Sequence, residues 1–148
     1  MTDTLDRAAM SGLDQLRAMI ATDRQPPIGR TLDFSLIEVE EGRAVFKGNP
    51  DHRVYNPIGS VHGGYAATLL DSACGIAVHS KLAPGQGYTT LELKISYVRG
   101  MTVDTGVVRA EGTVISMGRR VAFAEAKLTD ATGRILATAT STLLVISS

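Results

Sequence analysis

The strand-like runs after Pro84-Gly85-Gln86-Gly87 constrain the fold more than any other feature of the chain. Leu91, Leu93, Ile95 and Tyr97 alternate with Thr90, Glu92, Lys94 and Ser96, the period of two expected of a half-buried strand. Runs over 106–116, 120–128 and 134–146 follow, and Thr129-Asp130-Ala131-Thr132-Gly133 reads as a turn between the last two. Joins this short leave no room for crossover helices, so the strands must run largely antiparallel. Upstream, 32–39 and 43–47 flank Glu40-Glu41-Gly42 and read as a hairpin. Between hairpin and strands, Val61, Tyr65, Leu69, Ala73, Ile76 and Ala77 share one helical face over 61–80, the longest helix expected. The predicted class is α+β, with one long helix packed on a face of an antiparallel sheet.

A chain of 148 residues, 44% hydrophobic and 20% charged, suits one domain with its own core. Fifteen basic side chains balance fifteen acidic ones, so no net field draws in nucleic acid or an anionic membrane. An anionic ligand must therefore be held by local groups. The start, Met1-Thr2-Asp3-Thr4-Leu5-Asp6, lacks the basic and apolar regions of a secretory signal, and no apolar run reaches membrane-spanning length. A cytoplasmic protein is expected. Cys74 is the single cysteine, and it falls into no metal-ligand spacing with His52, His62 or His79, so neither a disulfide nor a metal is expected. Leu13, Leu16 and Ile20 mark an amphipathic helix over 6–20, ended by Asp23-Arg24-Gln25-Pro26-Pro27. This divides the chain into a helical extension, 1–28, and a main domain, 29–148.

The polar loop Asn56-Pro57-Ile58-Gly59-Ser60-Val61-His62-Gly63-Gly64 feeds directly into the long helix, which carries Asp71. Free N–H groups at a helix start, with the positive end of the dipole behind them, suit a carbonyl oxygen that gains charge during attack. Gly63 has no side chain to block that approach. A purely structural reading also stands, in which His62 caps the helix and the glycines allow close packing. For Asp71 one reading is a solvated helix face. The other rests on Thr68, Gly75 and Gly64 at spacings of three, four and seven, small residues that leave a groove for a thin acyl or pantetheine chain. A carboxylate there can activate water or attack directly. Asn56 either orients that water or the substrate carbonyl, or closes an Asn-Pro turn. Cys74 lacks a base partner and reads as a small buried hydrophobe, His52 and His79 as structural or surface residues. Arg119 and Arg120 either grip a phosphate or stand solvated.

Gly63 and Asp71 are eight residues apart, which is about 12 Å along a helix, against a hydrogen-bond reach of about 3 Å. One chain cannot apply both groups to one carbonyl. A shared site needs a second copy of the helix lying antiparallel, as a two-fold dimer would place it.

The pattern Asn-x-x-Gly-x-x-His-Gly-Gly at 56–64, followed by Leu-x-Asp at 69–71, resembles the PaaI-like branch of the hotdog thioesterases. The likeness continues through Thr89-Thr90-Leu91-Glu92-Leu93-Lys94-Ile95-Ser96-Tyr97 and Gly118-Arg119-Arg120 and covers 31–146. It implies a hotdog fold, a sheet wrapped round the long helix, in homodimers or pairs of dimers. It also implies hydrolysis of an acyl-CoA thioester, with CoA as part of the substrate and no separate cofactor. By this resemblance Asp71 is the catalytic acid, Gly63 the carbonyl-polarising N–H, and Asn56 and His62 the loop positions that orient substrate and water. Thr90 supplies a hydroxyl beside the water, and Arg119 or Arg120 lies near the nucleotide end of CoA; Gly64, Thr68 and Gly75 border the substrate by the spacing argument above. The Asp-x-x-x-x-His motif of the hydratase branch is absent. A hotdog protein that holds acyl-CoA without turnover is the rival, and the joint presence of Asn56, His62, Gly63 and Asp71 weighs against it.

Overall fold

The computed structural model describes residues 9–147. Its strands are β1 (Phe34–Glu40), β2 (Arg43–Gly48), β3 (Gly87–Tyr97), β4 (Val108–Met117), β5 (Val121–Asp130) and β6 (Ile135–Ile146), and its helices α1 (Gly12–Ala21), α2 (Pro27–Leu32) and α3 (Gly63–His79). All six strands join one sheet in the order β1-β2-β4-β5-β6-β3, with every neighbouring pair antiparallel. Helix α3 touches all six. Six strands about 4.8 Å apart span more than the roughly 10 Å width of a helix, so the sheet must curl round α3. This is the hotdog fold, of class α+β.

Burial follows the period of the strands. On β5, Ala122, Ala124, Ala126 and Leu128 are buried, while Phe123, Glu125 and Lys127 are exposed. Small side chains dominate where sheet meets helix: Ala110 and Gly112 of β4 and Ala139 of β6 are buried with them. A Cβ on Gly112 would overlap the Ala73 carbonyl, so helix and sheet backbones come as near as glycine and alanine permit.

The long helix and the antiparallel strands form as the sequence predicts, and three details differ. The stretch after Pro26 begins with the six-residue helix α2, where strand was expected from residue 32. Pro27 sits in its first turn, where the missing N–H costs nothing, and Asp33 closes it in the left-handed region at φ 58°. Strand β1 therefore starts at Phe34.

On β3 a bulge falls between Thr90, opposite Leu143, and Glu92, opposite Thr142. The extra residue, Leu91, is 55% exposed, and Thr90 joins the inward side with Leu93 and Ile95 rather than opposing them. Ser141 O–H donates to Glu92 C=O at 2.9 Å, giving the displaced backbone a partner. Finally, α1 starts at Gly12, after Ser11 Oγ accepts the Asp14 N–H, and the expected start at residue 6 lies outside the described residues. Leu16 of α1 is fully buried in the main core, and Gly12 N–H donates to Leu82 C=O at 3.0 Å. Among the described residues no helix is long and apolar enough to cross a membrane.

Gly112→Val should lower stability by at least about 2 kcal/mol, the scale of overpacking a tight core, in urea denaturation. Gly118→Ala, at an exposed turn with no neighbour nearer than 3.7 Å to its added Cβ, should leave the midpoint unchanged.

Candidate active site

The loop before α3 is built from its own polar groups. Asn56 Oδ1 accepts the Ile58 and Ser60 N–H groups at 3.0 and 3.1 Å, and its Nδ2 donates to Ser60 Oγ at 3.0 Å. The Asn56 amide is thus committed to holding the loop, which a bridge between Tyr55 and Val61 closes. His62 caps the helix: its Nδ1 accepts the Gly64 N–H at 2.7 Å. An accepting Nδ1 in a neutral ring leaves the proton on Nε2, and the side chain is exposed. Among the described residues the Gly63 N–H has no acceptor in the chain, so it stands free at the positive end of the helix.

Both glycines have identifiable neighbours. A Cβ on Gly64 would stand 2.8 Å from His62 Nδ1 and break the cap. A Cβ on Gly63 would stand 3.1 Å from Tyr97 Oη, because the Tyr97 hydroxyl donates to Gly63 C=O at 2.7 Å and lays its ring against the helix start. Tyr97 was expected only as one of the alternating strand residues. An aromatic at the end of a strand carries no signal of the helix turn it will meet.

Asp71 lies two turns further on, and the bulge in β3 turns Thr90 toward it. Thr90 O–H donates to Asp71 Oδ1 at 2.9 Å. Oδ2 has no protein partner among the described residues. Asp71 borders a cavity of about 200 Å³ with Ser72, Gly75, Ile76, Tyr88 and Thr90. Of the row of small residues, Gly75 lines this cavity, and a Cβ there would stand 3.2 Å from the Tyr88 ring. Thr68 instead donates back to Gly64 C=O at 2.8 Å, and neither of these two borders the cavity.

The other reactive side chains nearby are held inert. Burial, aided by the Asp71 carboxylate, pushes the Cys74 thiol up to about 12 and the Tyr88 hydroxyl up to about 12, so neither ionises near neutrality. Burial also lowers the pKa of His79, whose Nε2 lies 2.9 Å from Gln15 Oε1 and whose Nδ1 lies 3.4 Å from Tyr88 Oη. A neutral ring with the proton on Nε2 satisfies both contacts. His52 meets the Tyr55 ring at a tilt of 57°, with ring centres 4.7 Å apart.

Arg119 and Arg120 occupy the exposed turn between β4 and β5. Arg120 C=O accepts the Val145 N–H at 2.7 Å, and Val145 pairs with Tyr88, which sets Arg120 two strand spacings, about 10 Å, from Tyr88.

Residues 58–137 match the sequence model of the Thioesterase superfamily. The chain belongs to that superfamily. This thioester hydrolase is 27% identical over 115 residues to 1,4-dihydroxy-2-naphthoyl-CoA hydrolase of Listeria monocytogenes, covering 78% of this chain and 92% of that one. Among solved structures, a hypothetical thioesterase of Streptococcus pneumoniae determined with coenzyme A is 26% identical, with a TM-score of 0.69 over 78% of this chain and 88% of that one. The PaaI protein from the phenylacetic acid degradation operon of E. coli shares the hotdog fold, with a TM-score of 0.80 at 19% identity over 95% of this chain and 97% of that one.

Alkaline pH should destabilise this hydrolase. Cys74 and Tyr88 lose their protons in the unfolded chain near their ordinary values of 9.0 and 10.0 but in the folded chain only at about 12. The unfolded state therefore sheds protons first, and the stability these groups contribute, complete below pH 9, declines toward pH 12. Urea midpoints measured from pH 8 to 11 should fall, and should fall less steeply in the Cys74→Ala, Tyr88→Phe double variant.

Proposed function

We propose that this thioesterase hydrolyses acyl-CoA to the free acid and CoA, at sites that each draw on two protomers. One observation carries the reading: among the described residues Asp71 presents an unpartnered carboxylate oxygen beside a cavity, while the free Gly63 N–H of the helix start lies two turns away on the same helix. A two-fold dimer with antiparallel α3 helices brings the Gly63 N–H of one protomer to the Asp71 carboxylate of the other. The CoA-bound relative and the relative named for a CoA thioester support CoA as the thiol.

The chemistry then follows from the groups present. Asp71 Oδ2 takes a proton from water, and the water oxygen bonds to the thioester carbon. The carbonyl oxygen gains the negative charge and is held by the Gly63 N–H and the helix dipole. Collapse restores the C=O and breaks the C–S bond, and the departing sulfur takes the proton from Asp71. The same carboxylate is also suited to attack the carbon directly, expelling CoA as its thiolate and giving a mixed anhydride; water then opens this to the free acid and the Asp71 carboxylate, and its proton goes to the thiolate. Thr90 fixes which oxygen of Asp71 remains available, and His62 and Asn56 hold the loop that presents Gly63. Arg119 and Arg120, whose side chains have no partner among the described residues and which lie near the Tyr88 row, suit the phosphates of CoA. Dimers joined in pairs and a cytoplasmic setting fit the same reading.

Thiol release from an acyl-CoA panel should detect turnover, and Asp71→Asn should reduce it at least about a hundredfold, the scale of losing a base or nucleophile. Turnover unchanged in that variant removes Asp71 from the chemistry.

The shared site is tested by mixing. Gly63→Val and Asp71→Asn proteins, each inactive, form heterodimers with one doubly damaged and one intact site. After complete subunit exchange about a quarter of wild-type activity should return, since half of randomly paired dimers are mixed. Mixed dimers seen by mass spectrometry without that recovery would mean each protomer carries its own complete site.

A further inference from the structure

The cavity beside Asp71 has two walls of different origin. Helix α3 and strand β3 form one, with Ile76 and Tyr88, and the segment joining α1 to β1 forms the other, with Gln25 and Ile28. That segment is fastened. Gln25 pairs with both backbone groups of Leu36, its Oε1 accepting the N–H at 3.0 Å and its Nε2 donating to the C=O at 3.3 Å, as a neighbouring strand would. A Cβ on Gly29 would stand 2.6 Å from the Phe34 carbonyl, so α2 lies tight against the start of β1. Phe34 in turn meets Phe46 edge-on at 5.7 Å, and both rings border the cavity.

The space these walls enclose is small, and its chemistry is specific. An apolar cavity of about 150 Å³ accepts benzene. The wall that one protomer contributes leaves about 200 Å³ beside Asp71, the bulk of one ring or of a short chain. Among the described residues Asp71 is the only charged one on this protomer's lining, so a carboxylate at the far end of an acyl group would meet repulsion there and no counter-charge from this wall.

We propose that the 25–29 segment, clipped to β1 by Gln25, sets the acyl specificity of this hydrolase, which takes compact uncharged acyl groups of about one ring's bulk. This rests on the reading above that Asp71 acts on an acyl-CoA thioester. Gln25 and Ile28 are specificity residues, remote from the bond that breaks.

The test is kcat/KM for benzoyl-, hexanoyl-, 2-naphthoyl-, dodecanoyl- and succinyl-CoA with the wild-type protein and with Gln25→Ala, Ile28→Ala and Asp71→Asn. Wild type should favour benzoyl- and hexanoyl-CoA at least tenfold over the other three. Gln25→Ala and Ile28→Ala should raise the 2-naphthoyl-to-benzoyl ratio at least fivefold. Ile28 is 50% exposed, so its truncation leaves folding intact even where loss of the clip does not, and circular dichroism checks both. The proposal is overturned if 2-naphthoyl- or dodecanoyl-CoA matches benzoyl-CoA in wild type, or if the ranking is unmoved in both wall variants. In those cases Asp71→Asn is inactive. An active Asp71→Asn, or no thiol release from any of the five, instead overturns the assignment of Asp71 itself, and this inference with it.

Discussion

The approach of α3 to the sheet is the constraint from which the rest of the molecule follows. Gly112 and the buried alanines of β4, β5 and β6 let the helix backbone settle against the strands where Gly112 meets Ala73. Each alanine buries little area, yet close contact there recovers dispersion that a wider gap would forfeit. Three residues of β3 can consequently reach three turns of α3: Tyr88 meets Gly75, Thr90 meets Asp71, and Tyr97 meets Gly63. Strand and helix run in opposite directions, so this ladder fixes the helix start and the carboxylate in one frame.

Within that frame polar groups are sorted by whether they are used up. The Asn56 amide, His62 Nδ1, the Tyr97 hydroxyl and the Thr68 hydroxyl all have partners in the chain. Cys74, Tyr88 and His79 are kept neutral by burial. Among the described residues the Gly63 N–H and one oxygen of Asp71 have no partner in the chain. A hydrolase that needs water in its site gains from having few competing groups to hold that water elsewhere.

The strands and their antiparallel sense were legible because alternation and short turns are local signals that tertiary packing does not reverse. The cap at His62 was legible for the same reason, as one of two readings. Asp71 could be singled out from its small neighbours, but the residue that occupies the space beside Gly75 is Tyr88, thirteen positions later on another element. The bulge at Leu91 reversed the side on which Thr90 was expected, since a single inserted residue leaves the polar-apolar pattern looking regular while shifting its phase. Helix α2 escaped notice because six residues are too few for a helical period, and two prolines read as a break although one can start a helix. The cavity wall formed by that segment depends on Gln25 bonding a strand eleven residues away, a contact without a sequence signature.

Strand β3 lies at the edge of the sheet, and its one partner there, β6, is the last strand in chain order. The segment that positions Asp71 is therefore translated well before the strand it must pair with, and α3 waits beside an unfinished sheet. Pairing across so many residues is a non-local contact, of the kind that slows folding. The Thr90 contact of Asp71 is thus carried by a strand whose ladder is complete only once the chain has been synthesised through β6.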